Sequence, residues 1–418
     1  MFRLTNLTRV AAVGAVMALS SCDRPREVLA PSFAPGNEIF KSYVALGNSI
    51  TAGYQSSGIN DSTQRQSYAR LLAGQMGTQY HYAALAKPGC PSPVANFQTQ
   101  VRVQPATGTL QPCALRDTPS ITDILNNVAV PGARVLDPIS NSTVASNPLT
   151  TFILGGKSQV SRALMAQPTF ASIWIGNNDV LEAGTSGYLV PTAIPTLAIN
   201  SPGIVSTQTA FTTSYDAMIK TLTDSAPGIK GVLIGVAQVS GVPLLSSAAL
   251  IAANPATLGA GISQAAGRPV TVNPNCAGST ALVNVPQLIA VIRAGTHPAT
   301  IACQKGSDPT NAAVGDAYVL DPTEVTTLAT TITNYNNYIQ AKATAIGFAY
   351  YDPNVLFAAQ RATGAIPPFP NLASATATFG TLFSLDGVHP SGAGHRLIAN
   401  ALIPVINTKY STTLPVVP

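Results

Sequence analysis

Charge is what this sequence has least of. Only 9% of its 418 residues are Asp, Glu, Lys or Arg, and there is one Trp. The formal net charge of +5 is spread without any Lys/Arg cluster, which argues against a nucleic-acid partner. No run of eighteen uninterrupted apolar residues occurs, so no internal membrane span is expected. C-x-x-C and H-E-x-x-H spacings are both missing, and no metal site is expected. The 46% apolar content is broken up throughout by 33 Gly and 33 Pro. The length suits one large elaborated domain or two ordinary ones, with ample material for a core.

The N-terminus carries a targeting pattern. Arg3 and Arg9 precede an apolar stretch, Val10 to Leu19, which is too short to span a bilayer. Leu19-Ser20-Ser21-Cys22 follows and resembles a bacterial lipobox, where the chain is cut before the Cys and its thiol is lipidated. Residues 1–21 are therefore expected to be a lipoprotein signal peptide, and residues 22–38 the lipidated Cys22 with a polar, Pro-rich tether. The protein is expected to be exported and held at a membrane of the cell envelope by this anchor. An ordinary secretory signal with an incidental Cys is the alternative. Cleavage removes two Arg and no acid, leaving twenty basic against seventeen acidic side chains, a balance of +3.

Export changes how the other cysteines read. Cys90, Cys113, Cys276 and Cys303 remain. An even count in an oxidising compartment predicts two disulfides. Of the three connectivities, the sequence-local pairs Cys90–Cys113 and Cys276–Cys303 are expected.

Along the chain, buried-strand runs alternate with helical spacing. "KSYVALG" is strand-like, and "QSYARLLAGQMG" has helical spacing with Gly77 as its stop. "FASIWIG" is a second strand, with Trp174 expected in the core. Phe211, Tyr215, Met218, Ile219 and Leu222 share one helical face, and "KGVLIGV" follows as a third strand. "TTITNYNNYIQAKATAIG" then "FAYYD" repeats the pattern. The last helix is expected from about Gly392 to Ile406, with Pro404 as a possible kink. Such alternation predicts an α/β fold with a parallel sheet and helices on both faces, and working residues at the strand carboxyl ends. The main domain is expected over 39–410 and a short tail over 411–418. Two stretches break the alternation, at about 84–126 and 240–321. Both are read as loop-rich, disulfide-stapled insertions at one rim of the sheet.

Three pieces of the sequence carry candidate chemistry. Ser49, in "YVALGNSITAGYQS", sits at a strand end. Asp386 and His389, in "FSLDGVHPSG", are three apart, so the carboxylate can accept the imidazole Nδ1–H and leave Nε2 to take a hydroxyl proton. Asn178, in "IWIGNNDVL", follows a strand and can donate to an oxyanion. Each piece alone is weak: D-x-x-H pairs are common, and Gly-Asn-Asn-Asp is ordinary turn chemistry. Gly132, in "AVPGA", is a candidate main-chain donor, with Gly89 in "KPGCPS" as its rival.

Taken in order, Gly-x-Ser, the Gly of "AVPGA", Gly-x-Asn-Asp and Asp-x-x-His-Pro resemble the GDSL, or SGNH, hydrolase family over about Phe40 to Ile406. The resemblance implies a three-layer α/β/α sandwich of flavodoxin-like type. It implies a Ser49 nucleophile, His389 as base and Asp386 as its orienting acid. It also implies an oxyanion hole of the Ser49 N–H, the Gly132 N–H and the Asn178 side chain. No cofactor is implied. Two departures stand out. The usual Gly-Asp-Ser-Leu is Gly47-Asn48-Ser49-Ile50 here, and the gap from Ser49 to Gly132 is long, which keeps Gly89 and Asn127 as substitutes. The substrate class is an ester of a small molecule, lipid or glycan. A glycan O-deacetylase or acyltransferase, or a non-catalytic surface-binding lipoprotein, are the alternatives.

The other polar residues read more plainly. His395 is expected on the surface or satisfied within its helix, His297 in a loop and His81 on a strand. Asp352 is a weaker candidate for the orienting acid. The uncharged stretch Leu233–Asn254 is either strand and core-packed segment or an apolar wall of the acyl site.

Overall fold

Four short, mostly apolar runs build the central sheet: β1 (Tyr43–Gly47), β2 (Phe170–Trp174), β3 (Lys230–Ile234) and β4 (Ala349–Tyr351). They lie parallel and adjacent in that order. β1 and β2 are buried along their whole length, as strands covered on both faces must be. Beyond β1, a parallel bridge joins Ala45 to Asn127, and another joins Asn127 to Tyr82. With the Asn127 segment counted as a strand, the order is 2-1-3-4-5, the flavodoxin-like arrangement. The computed structural model describes residues 37–104, 113–114, 124–140, 149–193, 203–304 and 317–418. Cys22, the signal segment and nearly all of the tether lie outside them.

Helices flank the sheet in two groups, giving three α/β/α layers. Tyr68–Met76 packs against the final helix, Gly392–Tyr410. On β2, Phe170 and Trp174 share a face by the two-residue period of a strand. Phe170 meets Tyr410 edge-on, and Trp174 meets Tyr68 edge-on. The other group is Gln159–Leu164, Gln208–Ser225 and Pro322–Ile346. Phe211 and Tyr335 stack there with ring centroids 3.8 Å apart.

The helix ends follow local chemistry. Ser67 and Thr207 cap their helices by accepting main-chain N–H groups of the first turn. Asp321 and Glu324 form a reciprocal capping box, with Pro322 at the first helical position. The final helix extends four residues past the expected Ile406 and runs on through Pro404. Residues 411–418 return along it, where Asn400 and Asn407 hydrogen-bond the main chain of Val417 and Leu414.

Both expected disulfide pairs are present, Cys90–Cys113 and Cys276–Cys303. Within the second insertion, loops alternate with short elements. Leu245–Ser247, Leu282–Asn284 and Val319–Leu320 form a small antiparallel sheet. Helices Ala260–Ala266 and Val285–Ala294 pack on each other beside it. Ile262, Val283, Leu288, Ile292 and the Cys276–Cys303 pair form an apolar core separate from that of the sheet. The alternation of the main domain gives no hint of this second core, because its strands are too short to show a period.

Candidate active site

Ser49 opens a one-turn helix, α1 (Ser49–Ala52), directly after β1. The sharp strand-to-helix turn depends on Gly47. A Cβ there would meet Thr51 Oγ1 at 2.4 Å and the Trp174 carbonyl at 2.6 Å. Both main-chain groups of Gly47 are held by one side chain, the N–H donating to Gln159 Oε1 and the C=O accepting from Gln159 Nε2, each at 2.9 Å. Asn48 caps α1, its Oδ1 accepting the Ile50 N–H at 3.1 Å. This cap is the contact that the Asn48 side chain makes at the turn. Its amide nitrogen stays buried without a protein partner.

Asp386 and His389 sit in a tight turn. The Ser384 N–H donates to the His389 carbonyl at 2.9 Å, and a bridge pairs Phe383 with Pro390. The turn brings His389 Nδ1 to 2.9 Å from Asp386 Oδ2, and Nε2 to 2.8 Å from Ser49 Oγ. The remaining Asp386 contacts are all donors. Val388 and His389 N–H reach Oδ1 at 2.9 and 2.8 Å, Ser384 Oγ reaches it at 3.2 Å, and Ser57 N–H reaches Oδ2 at 2.8 Å. Burial works against the charged carboxylate, but the charge and hydrogen bonds of His389, with the Ser57 N–H, overcome it and lower the pKa to about 2. Ser56 and Ser57 reach this loop from the far side of α1, and both hold the left-handed conformation that non-glycine residues rarely adopt. Tyr54 lays its ring 4.8 Å from that of His389.

Asn178 begins α2 (Asn178–Ser186), just beyond β2. Its Nδ2 donates one hydrogen to the Ala133 carbonyl at 2.8 Å, leaving the second hydrogen of the amide. The turn before Ala133 holds Gly132 at φ +82, a left-handed conformation that suits glycine. Val130 N–H donates to the Gly47 carbonyl at 3.2 Å. Gly132 is thus bracketed between a residue bonded to the strand end of Ser49 and one bonded to Asn178.

Two further contacts fasten this turn to α2. Asp179 accepts the Val135 N–H at 2.9 Å, and Arg134 pairs with Glu182 at 2.7 Å. Asp179 is fully buried, which lifts its carboxyl to about pKa 7 against the pull of Ser206 and Val135. Gln159, Arg134, Glu182, Ser56 and Ser57 carry no signal in the sequence, since their partners are distant in it, and Asp179, although part of the Gly-x-Asn-Asp block, gives no sign there of its contact with Val135.

The substitutes make contacts of their own. Gly89 packs on main chain, where a Cβ would lie 2.5 Å from the Ile59 carbonyl. Asn127 Nδ2 donates to the Thr51 carbonyl, and its Oδ1 accepts the Ala129 N–H. Asp352 caps Pro353–Ala362 through the Asn354 N–H. Trp174 is buried, and within Leu233–Asn254 both Leu244 and Leu245 belong to the core, Leu244 also bordering an open groove at the site. His297 lies between helix and strand, its Nδ1 2.7 Å from the Pro298 carbonyl.

His395 is fully buried rather than on the surface. Its Nδ1 accepts the Tyr68 N–H at 3.2 Å, so the ring is held neutral. Burial, with a smaller push from the charge of His389, lowers its pKa from 6.5 to about 3.

The sequence pattern of the GDSL-like Lipase/Acylhydrolase family matches residues 43–402. No curated protein matches the chain. Among solved structures, the chain is similar to a Parabacteroides merdae protein whose assignment as a GDSL-like lipase is itself provisional. Identity is 13%, the TM-score is 0.35, and 87% of this chain and 95% of that one are covered.

The neutral state of His395 makes a prediction about stability. The unfolded chain takes up a proton on this residue below pH 6.5, and the folded chain refuses it until about pH 3. Its contribution is therefore complete above pH 6.5 and lost as pH falls toward 3. His395 by itself contributes a loss of up to ~1.4 kcal/mol per pH unit as pH falls through that window, set against the opposite contribution of Asp179, whose raised pKa of about 7 adds stability as pH falls below it. His395→Gln, which can still accept the Tyr68 N–H, should remove that share, so that on going from pH 6.5 to 4 denaturant stability falls less, or rises more, than in the wild type. An unchanged slope would contradict the assignment.

Proposed function

The chain belongs to the GDSL-like lipase/acylhydrolase family, and from that premise we propose that it is a serine ester hydrolase working through an acyl-enzyme on Ser49. Family membership supports ester hydrolysis in general. The acyl-enzyme reading is carried by one observation: the unbroken line from Asp386 through His389 to Ser49 Oγ, with links of 2.9 and 2.8 Å.

In this reading His389 Nε2 takes the Ser49 proton as Oγ attacks the ester carbonyl. Asp386 fixes the imidazole with Nδ1 protonated, and it steadies the imidazolium that forms. A carboxylate held near pKa 2 stays ionised throughout and does not compete for the proton. The second amide hydrogen of Asn178, the Gly132 N–H and the Ser49 N–H are the proposed oxyanion donors. The alcohol leaves with the proton from His389. Water then attacks the acyl-enzyme, His389 takes its proton, and Ser49 Oγ leaves as the hydroxyl. Cys22 is the proposed point of lipid attachment in an exported protein. The two disulfides support an oxidising compartment.

A fluorophosphonate probe should label the folded chain stoichiometrically, and Ser49→Ala should abolish labelling. On a nitrophenyl ester, Asp386→Asn should lower kcat by roughly 10⁴-fold, and Asn178→Ala by roughly 10²–10³-fold. A folded wild-type chain that takes no label would instead support a binding protein. Growth of the full chain's bacterial host on radiolabelled palmitate should label the protein, and Cys22→Ser should not be labelled. Equal labelling of both would contradict the anchor.

A further inference from the structure

Asp386 takes one main-chain donor from outside its own turn, the Ser57 N–H, and that donor is itself held in place. Ser56 and Ser57 form a bend in which both residues are left-handed, at φ 54 and 53. The conformation is costly away from glycine and persists only where contacts on several sides hold it. On one side the bend faces the catalytic turn. Ser56 N–H donates to Ser384 Oγ at 2.7 Å, and Ser56 Oγ accepts the Leu385 N–H at 3.1 Å. Ser57 N–H donates to Asp386 Oδ2 at 2.8 Å, the same oxygen that receives His389 Nδ1.

On its other side the first insertion grips the carbonyls of the bend. Val94 N–H donates to the Ser56 carbonyl at 2.7 Å, and Arg102 Nη1 donates to the Ser57 carbonyl at 2.8 Å. The same nitrogen donates to the Ser92 carbonyl at 2.5 Å. Between these two carbonyls the segments touch, since a Cβ on Gly58 would lie 2.4 Å from Pro93 N. Arg102 is fixed in turn. It is bridged to Val94, and beside it Ala95 N–H donates to the Val101 carbonyl and Val103 N–H to the Pro93 carbonyl, each at 2.8 Å.

Ser57 borders the open groove at the site. Arg102 borders neither that groove nor the small pocket beside Ser49. Its route to the reacting atoms therefore runs through Ser57 and not through substrate. We infer that Arg102 is a positioning residue of the reaction. By fixing the Ser57 carbonyl it holds the Ser57 N–H on Asp386 Oδ2, and so keeps the carboxylate in line with His389 and Ser49. The inference rests on the hydrolase reading above. Two consequences separate it from a role in stability alone. A residue that acts through Asp386 changes kcat and leaves KM. Its removal also costs little once Asp386 no longer works, because residues acting through one line of contacts are not additive.

The test uses the full chain. With 4-nitrophenyl acetate, Arg102→Met should lower kcat by about 10- to 100-fold, with KM changed less than about twofold. A single nitrogen bridges the two carbonyls, so an ammonium with three hydrogens can replace it, and Arg102→Lys should recover kcat to within about fivefold of wild type. Arg102→Met should slow fluorophosphonate labelling of Ser49 in the wild-type background. Added to Asp386→Asn, the same substitution should change the labelling rate by less than about twofold. Should Arg102→Met fail to fold, Arg102→Gln, which keeps one donor group, carries the same comparison. Equal losses in both backgrounds, a loss confined to KM, or Lys no better than Met overturns the positioning role and leaves the serine hydrolase standing. Absence of labelling of the folded wild-type chain overturns the hydrolase reading beneath it.

Discussion

A buried carboxylate that is kept charged organises this site. Asp386 has lost most of its contact with water, which by itself would favour the neutral acid. It stays ionised because every nearby contact is a donor: three main-chain N–H groups, a serine hydroxyl and the His389 ring. Two of those N–H groups come from its own turn, so the loop and the charge define each other. The third comes from Ser57, at the far end of the segment that begins with Ser49. The same carboxylate therefore aims His389 and ties its loop to the turn carrying Ser49.

The opposite side of the site is held by a different device. Asn178 and its neighbour Asp179 both reach the 133–135 segment, and Arg134 reaches back to Glu182. Three polar contacts thus fix the turn of Gly132 to the start of α2. Gln159 does the same for Gly47, holding both of its main-chain groups with one amide. A donor array for a developing oxyanion must be set before the reaction begins, since donors that reorganise during the step lose their advantage. These paired contacts are the means available to a loop-rich chain of setting it.

Much of the sheet was legible in the sequence because strands buried on both faces read as short apolar runs between helical periods. Ser49, Asn178, Asp386 and His389 were legible through the joint order of their blocks along the chain, since the strand ends and the D-x-x-H spacing are each weak alone. Gly132 was harder, since Val130 and Ala133 acquire meaning only through Gly47 and Asn178. The clamping contacts of Gln159, Arg134 and Asp179 were invisible for the same reason, their partners lying 44 to 112 residues away. His395 looked like an ordinary helical histidine, and its burial depends on Tyr68, which is 327 residues distant. The second insertion hid its own core because its strands are only two or three residues long.

Rapid-quench kinetics with 4-nitrophenyl acetate bear most directly on the acyl-enzyme. One equivalent of nitrophenol should appear in a burst, and peptide mapping of the quenched protein should find the acyl group on Ser49. The burst and adduct should both vanish in Ser49→Ala. Steady hydrolysis with no adduct, or an adduct on any other residue, would contradict the acyl-enzyme and the roles drawn from Asp386 and His389.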